Sequence, residues 1–262
     1  DLTIDNQFVG DGIVLKNNGA LNISADATLN IYNTDLSSIN VSFGTGRIDN
    51  AGTILIDRTV AIPSGSDGAS GILVSDNGIL NLTNQVTGVI KNLDTLFADF
   101  LLIGDPFAPP LVAGSPNSSI INRGLIDVSY PGSNTSFEYY AFYFKNVTTF
   151  DNYGTIQIDS TEGEGMFLLA ESRLTNHVGS KIQMKQIDVT GIELRNTATL
   201  INDGTIEMDS LAGIGFNLRR DATITNNATG IIQLNDIGST SIGLDTRASF
   251  INNGTITITQ NI

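Results

Sequence analysis

The sequence contains no cysteine and a single histidine, His177. The lack of cysteine excludes disulfides, thiol nucleophiles and cysteine-ligated metals. A Ser-His-Asp triad or a histidine-rich zinc site would have to be built around this one side chain, and a zinc site has no second imidazole to use. We therefore interpret His177, which follows Asn176 in a predicted turn, as an ordinary turn residue.

Basic residues are scarce as well: 13 Lys and Arg stand against 27 Asp and Glu, which gives a formal net charge of −14. A nucleic-acid-binding protein needs a basic face to neutralise phosphates, so this balance excludes nucleic acid as a partner. Charged residues make up only 15% of the chain, too few for a coiled coil or an acidic tail. No apolar run reaches about 18 residues, which excludes a membrane-spanning helix.

Asparagine and glycine are abundant, with 27 of each. Both residues favour tight turns with positive φ, and the asparagine side chain hydrogen-bonds readily to nearby backbone. Isoleucine and threonine, which favour strands, fill much of the remaining sequence. This composition predicts short strands joined by many turns.

One motif, Asn-x-Gly followed by alternating apolar residues, recurs through the second half of the chain. Longer variants with extra residues in the turn lie between its copies, at Asn176 and Asn226. The asparagines of both forms are separated by alternating steps of 24 and 26 residues, and they are Asn152, Asn176, Asn202, Asn226 and Asn252. A second motif, a small residue followed by apolar-x-apolar, begins 11 residues before each asparagine, and a third short apolar segment leads into it. Three motifs that keep one register over five repeats indicate a unit of three short strands and three turns.

A unit of this size cannot bury its apolar face alone, whereas stacked units bury a continuous core. The sequence therefore predicts an all-β fold, a single right-handed parallel β-helix over residues 1–262 with three short strands per coil and about ten coils. The inward residues Ile156, Ile182, Ile206, Ile232 and Ile256 are predicted to form one column. The segments 61–70 and 104–118 are predicted to be loops outside the wall, and the second holds four of the six prolines. Because the chain begins and ends inside patterned sequence, we expect it to be a segment of a longer protein.

The stacked turn asparagines at positions 152, 176, 202, 226 and 252 are predicted to form a structural ladder of amides. Sugar or metal binding is the alternative, which we disfavour because each asparagine precedes the glycine that the turn requires. A second column aligns Asp159, Lys185, Asp209 and Asn235. It is interpreted as a solvated charge ladder, since the lysine separates two aspartates that could otherwise form a calcium site or a catalytic pair. We therefore predict no metal and no cofactor.

Five of the six tyrosines lie within residues 130–153. Tyr143 and Phe167 occupy the outward middle position of the same strand in adjacent units, so they are predicted to stack on the outer wall. Together with Tyr139 and Tyr140 they form the predicted partner-binding surface, with the 104–118 loop as a second contact. The alternative, that a neighbouring loop covers these rings, is equally compatible with the pattern.

Repeats of the form Asn-x-Gly-x-Ile-x-Ile over 24–26 residues, without cysteine and with an acidic balance, resemble the passenger domain of a Gram-negative autotransporter (type V secretion). The resemblance covers the chain from about residue 12 onward. It implies a non-catalytic β-helical adhesin or stalk at the bacterial cell surface, or secreted, and carried by an outer-membrane β-barrel outside this segment. It implies as partners a host-surface glycan or protein, or a neighbouring cell of the same kind.

The alternative is a carbohydrate-cleaving β-helix, a polysaccharide lyase or a tailspike-like glycosidase. Such an enzyme would bring two or three acids together in one groove beside aromatic rings. Glu138, Glu162, Glu164 and Glu193 lie near the tyrosines in the sequence, but they are spread over loops and a strand. The acidic balance favours a neutral sugar or a protein over an anionic glycan as the partner.

Overall fold

The computed structural model describes residues 1–5, 11–32, 37–57, 70–75, 78–92, 100–103, 117–129, 140–145 and 147–260. These residues form strands and turns, and none of them is in a helix that could cross a membrane. The predicted loops at 61–70 and 104–118 lie outside the described residues, apart from Ser70 at the end of the first and residues 117 and 118 at the end of the second.

The strands follow one another along the chain with short connections in the second half and longer ones in the first. The first ten are β1 (Leu2–Asp5), β2 (Ile13–Leu15), β3 (Ala20–Ile23), β4 (Thr28–Tyr32), β5 (Ile39–Val41), β6 (Gly44–Asn50), β7 (Thr53–Asp57), β8 (Ile72–Val74), β9 (Gly78–Asn84) and β10 (Val89–Asn92). The next nine are β11 (Leu101–Ile103), β12 (Ser118–Asn122), β13 (Leu125–Ser129), β14 (Tyr140–Phe144), β15 (Thr148–Asn152), β16 (Thr155–Thr161), β17 (Glu164–Leu168), β18 (Arg173–Asn176) and β19 (Lys181–Ile187). The last nine are β20 (Thr190–Arg195), β21 (Thr199–Asn202), β22 (Thr205–Leu211), β23 (Ile214–Arg219), β24 (Thr223–Asn226), β25 (Ile231–Ile237), β26 (Ile242–Leu244), β27 (Ser249–Asn252) and β28 (Thr255–Thr259).

Every third strand belongs to the same parallel sheet, which is the connectivity of a three-sided β-helix. Sheet A has ten strands in the order β1-β4-β7 and onward to β28. Sheet B has nine, from β2 to β26, and sheet C has nine, from β3 to β27. The all-β parallel β-helix with three strands per coil is confirmed.

The described residues form nine coils of three strands, and β1 is an extra strand of sheet A. Nine coils are slightly fewer than the number predicted from the length of the chain, which was about ten. The difference arises in the first half of the chain. Asn50, Asn84, Asn122 and Asn152 occupy equivalent positions at intervals of 34, 38 and 30 residues, longer than the 24 to 26 of the regular repeats.

The core runs down the axis of the solenoid as stacked columns of inward side chains. Ile156, Ile182, Ile206 and Ile232 are register partners in sheet A, and each is completely buried. Ile256 continues the column in the last coil and is only partly buried. Alternation along each strand sends the intervening residues outward, as the period of two requires. The predicted column is therefore confirmed.

The glycine of the Asn-x-Gly turn is required by space rather than by its backbone angles. A Cβ on Gly124 would overlap the carbonyl oxygen of Gly88, and one on Gly154 would overlap that of Gly124. Among the described glycines, positive φ occurs only at Gly44 and Gly179. The expectation of positive φ at these turns is thus wrong, because the turns stack so closely that no side chain fits between them.

Candidate functional site

The outward middle positions of sheet B form one continuous column over nine coils. Six consecutive members of this column, in register order, are Leu73, Leu102, Tyr143, Phe167, Glu193 and Asn217. Its apolar half forms a second hydrophobic cluster outside the main core, built on Leu102, Tyr143 and Phe167, with Leu73, Tyr140 and Leu169 packed against it. We call this cluster the sheet B wall.

Three aromatic rings lie at the centre of the sheet B wall. The Tyr143 and Phe167 rings are stacked, with centroids 5.2 Å apart and planes 3° from parallel, as their shared strand position predicts. The Tyr140 ring contacts both, at centroid distances of 4.8 and 5.4 Å. Tyr139 lies outside the described residues. Adjacent parallel strands thus hold two aromatic rings face to face, which is a favourable aromatic geometry.

These stacked rings are covered, not open to solvent. Tyr143 is 7% exposed and Phe167 is 3% exposed, whereas Tyr140 is half-buried. Part of the cover is the guanidinium group of Arg195, which lies 4.8 Å from the centroid of the Phe167 ring. The expectation of a flat exposed strip is therefore wrong for Tyr143 and Phe167, and for Phe167 one reason is that a side chain of the following coil lies over the ring.

A buried carboxylate adjoins the rings at the next position of the column. Glu193 is 1% exposed, and its Oε1 accepts a hydrogen bond from Arg195 Nε and lies 3.6 Å from Arg219 Nε. Its Oε2 accepts a hydrogen bond of 2.9 Å from Asn217 Nδ2. Both oxygens are engaged, so this carboxylate compensates its burial and holds Arg195 over Phe167.

The sequence singles out three further glutamates, and two of them lie among the described residues. Glu164 is a register partner of Tyr140 and is 8% exposed, and Glu162 is half-buried. Glu138 lies outside the described residues. Within the described ranges no three His, Asp or Glu side chains come together as a group that could hold a metal ion.

The turn asparagines form a continuous ladder of amides at the edge between sheets C and A. Each Nδ2 donates one hydrogen bond of 2.7 or 2.8 Å to the Oδ1 of the asparagine in the next coil. The same Nδ2 donates a second hydrogen bond to a backbone carbonyl of that coil, as Asn152 does to Lys181 and Asn176 to Thr205. The ladder contains Asn50, Asn84, Asn122, Asn152, Asn176, Asn202, Asn226 and Asn252, and all but the last are completely buried.

Asn50, Asn84 and Asn122 extend this ladder beyond the five residues that the repeats single out. The signal for Asn50 and Asn122 is their own Asn-x-Gly motif, but Asn84 precedes a longer turn and lies 38 residues from Asn122. Both Nδ2 hydrogens of each buried asparagine of the ladder are occupied by protein acceptors. This arrangement favours a structural role over sugar or metal binding.

The column Asp159, Lys185, Asp209 and Asn235 has the predicted register on the outer face of sheet A. Asp159 accepts a hydrogen bond of 2.9 Å from Ser160 Oγ, and Asp209 accepts one of 3.3 Å from Ser210 Oγ. On the same sheet, partial burial raises the pKa of Asp57 above its usual value. These contacts fit a solvated charge ladder with a lysine between the two acids.

We expect removal of divalent ions with EDTA, or addition of calcium, to leave the melting temperature unchanged. Lys185 lies between Asp159 and Asp209, and a cation there would have to displace or neutralise it. Thermal melts followed by circular dichroism would check this. A large shift with either reagent would contradict it and would point to these two aspartates.

His177 lies in a turn, as predicted, and it has an acidic partner that the sequence did not reveal. Its Nε2 lies 2.9 Å from Asp151 Oδ1, and its ring stacks on Tyr153 with centroids 3.9 Å apart. Asp151 is 26 residues away, one coil earlier. The Ser180 hydroxyl donates to the backbone carbonyl of His177 and not to its ring, so no serine triad is formed there.

Residues 11–262 match the family described as the BigA third pectate lyase-like domain. The chain belongs to this family. No curated protein sequence matches the chain. Among solved structures, a crystallised TibA fragment hyper-glycosylated by TibC aligns over 96% of this chain and 98% of that one, at 14% identity and a TM-score of 0.22. The fold assignment rests on the strands themselves, and the fold is the one that the resemblance to autotransporter passengers implies. Because the family is described as pectate lyase-like, carbohydrate cleavage and carbohydrate or protein binding both stay candidate functions.

Proposed function

We propose that this chain is a non-catalytic, surface-exposed β-helical module of the autotransporter-passenger type, an adhesin or stalk that attaches to its partner through the sheet B wall. The observation that supports this is the hydrophobic cluster on the outside of the solenoid. Outward positions of a solvated sheet are usually polar, and an external aromatic cluster is more typical of a contact surface.

The sheet B wall has the composition of an interaction surface. Its buried centre contains two aromatic rings, and its rim contains half-buried Tyr140 with Arg195 and Arg219, whose side chains are 38% and 45% exposed. Tyrosine and arginine are enriched among residues that carry most of the binding energy at interfaces. The partner we propose is a protein or a neutral glycan on a host cell, or another cell of the same kind.

The test changes one residue at the rim of the sheet B wall and leaves its buried centre intact. Tyr143 and Phe167 are buried, so replacing both by alanine would cost several kcal/mol of stability, roughly 3 to 5 for the phenylalanine alone. Tyr140→Ala is the better change, because this ring is half-buried. We expect binding of the purified segment to host-cell surfaces to fall about tenfold or more, with little change in melting temperature.

Tyr32→Ala is the matched control, since Tyr32 is a half-buried tyrosine at the end of β4 in sheet A. This control is expected to bind as the parent does. If Tyr140→Ala binds like the parent and melts like it, the sheet B wall is not the contact surface, and the chain is better described as a spacer.

The family name favours carbohydrate cleavage as a second candidate function. Glu164, buried beside the Tyr140 register position, is the glutamate we would assign to it. Incubation with a panel of polysaccharides, followed by chromatography of the products, separates the two functions. We expect no cleavage products. Products that form with the parent and disappear with Glu164→Gln would establish the enzyme instead of the adhesin.

A further inference from the structure

The turns between sheets C and A occur in two lengths. Short turns have the three residues Asn-x-Gly, whereas long turns have five residues and are closed by a backbone hydrogen bond across them. The closing bonds run from the amides of Ala27, Gly88, Ser180 and Gly230 to the carbonyls of Ser24, Gln85, His177 and Asn227, at 2.8 to 3.0 Å. The two lengths alternate along the solenoid, except that two short turns, 122–124 and 152–154, follow one another.

This break in alternation leaves a gap in the edge of the solenoid. The long turns 84–88 and 176–180 border the gap, three coils or about 14 Å apart. At their tips Val86 is 75% exposed and Val178 is 70% exposed. Next to Val86 lies an open groove of about 440 Å³, lined by residues 86–89, 123–125, 154, 155 and 157. We call this gap, with Arg123 and Tyr153 at its two short turns, the turn notch.

Arg123 is a cation in the turn notch, and none of the carboxylates that the structure describes pairs with it. The arginines that lie against a carboxylate are Arg47, Arg195, Arg219 and Arg247. In the part of the chain that the structure describes, Arg123 has no carboxylate partner and lies instead over the Tyr153 ring, 5.5 Å from its centroid. An exposed guanidinium fork that remains unpaired in a chain with a net charge of −14 is available to a carboxylate from outside.

The aromatic side of the turn notch is held in place by the next coil. The His177 ring stacks on Tyr153 with an interplanar angle of 5°, and Asp151 fixes that imidazole through its Nε2. Tyr153 nevertheless remains 48% exposed. Arg123 and Tyr153 are therefore positioned before any ligand arrives, which lowers the entropy that binding would cost.

We propose that the turn notch binds a saccharide unit that carries a carboxylate. The carboxylate would pair with the guanidinium of Arg123, the sugar hydroxyls with Thr155 and Gln157, and the apolar face of the ring with Val86 and Leu125. An open groove lined by valine, leucine, hydroxyl and amide groups suits one or two sugar rings. This site is separate from the sheet B wall and does not depend on it.

Two other ligand classes fit the turn notch less well. An extended peptide would need free backbone groups, but the amides of Arg123, Leu125, Tyr153 and Thr155 all donate to carbonyls of the preceding coil, at 2.7 to 3.0 Å. A long polyanion would be repelled by the net charge of −14, whereas a single terminal acid sugar meets mainly the local field of Arg123.

The chemical test compares two oligosaccharides that differ in the acid sugar. The purified segment is titrated with N-acetylneuraminyl-lactose and with lactose, and binding is followed by calorimetry or by NMR. We expect the acidic sugar to bind in the millimolar range or better, and lactose about tenfold more weakly or not at all. Arg123→Gln is expected to lower the affinity for the acidic sugar to that for lactose, without changing the melting temperature. Absence of binding, equal binding of lactose, or full binding by Arg123→Gln would overturn the proposal.

The geometric test fills the turn notch and keeps the arginine. Inserting Val-Thr after Arg123 gives this short turn the length of the turn at 84–88, a length that the solenoid already contains in four coils, each beside short turns. We expect the insertion to abolish binding of the acidic sugar. The same insertion after Asp203, in a short turn already flanked by two long ones, is the control and is expected to bind normally. Binding that survives the first insertion would place the sugar elsewhere and overturn the proposal.

Discussion

Replacing Ile206 by aspartate is expected to lower the free energy of unfolding by roughly 4 kcal/mol or more. Ile206 is completely buried and lies in the centre of a column between Ile182 and Ile232. A carboxylate at this position would have apolar side chains above and below it. Urea unfolding followed by circular dichroism would measure the loss.

Gln233→Asp is the control for this change. Gln233 belongs to the neighbouring strand of sheet A, but it is half-buried on the outer face, one position along from inward Ile232. The same carboxylate there remains in contact with water, so we expect a loss below about 1 kcal/mol. If Ile206→Asp and Gln233→Asp unfold alike, the assignment of inward and outward positions is wrong.

Asn202→Ala is expected to cost about 2 to 4 kcal/mol, because it leaves several buried polar groups without a partner. Asn202 accepts a hydrogen bond of 2.8 Å from Asn176, and it donates one of 2.7 Å to Asn226 and one of 3.3 Å to the Ile231 carbonyl. All three asparagines are completely buried. Thermal or urea unfolding of the variant beside the parent would measure this cost.

The same substitution at the end of the ladder separates burial from chemistry. Asn252 accepts a hydrogen bond of 2.8 Å from Asn226, as the interior members do from theirs, but it is exposed. Water can replace the lost partner there, so Asn252→Ala is expected to cost about 1 kcal/mol or less. Equal losses at positions 202 and 252 would show that burial of the ladder does not determine its contribution.

The coil architecture was predictable from the sequence because the repeat length is nearly constant, at 24 or 26 residues, from Asn152 to Asn252. Isoleucines such as Ile182 and Ile206 recur at one register position, and five of the six Asn-x-Gly sequences mark the same corner of a coil. Asn84 was not predicted, because its turn is longer and because it lies 34 residues after Asn50 and 38 residues before Asn122. Irregular spacing removes the periodic signal even though the backbone register is preserved.

Only part of the candidate site was predictable. The position of a residue in a strand predicts whether its side chain points outward, but not whether another side chain covers it. The stacking of Tyr143 on Phe167 follows from two equivalent positions in adjacent coils. The burial of Phe167 comes in part from Arg195, which lies over the ring from the next coil, and no local pattern in the sequence encodes that contact. The partner of His177 is similar, because Asp151 becomes its neighbour only when the coils are stacked.

The asparagine ladder also gives the solenoid a chemical direction. Every side-chain amide donates toward the later coil, so the dipoles of the amide groups point the same way and add along the axis, as peptide dipoles do in a helix. The two ends of this row differ in kind. At Asn50 the buried Oδ1 has no donor, because Ile23 occupies the preceding position, whereas at Asn252 the Nδ2 turns back to the Gly254 carbonyl. A polarity built from uncharged side chains therefore runs from Asn50 to Asn252, and it does not depend on pH because amides do not titrate.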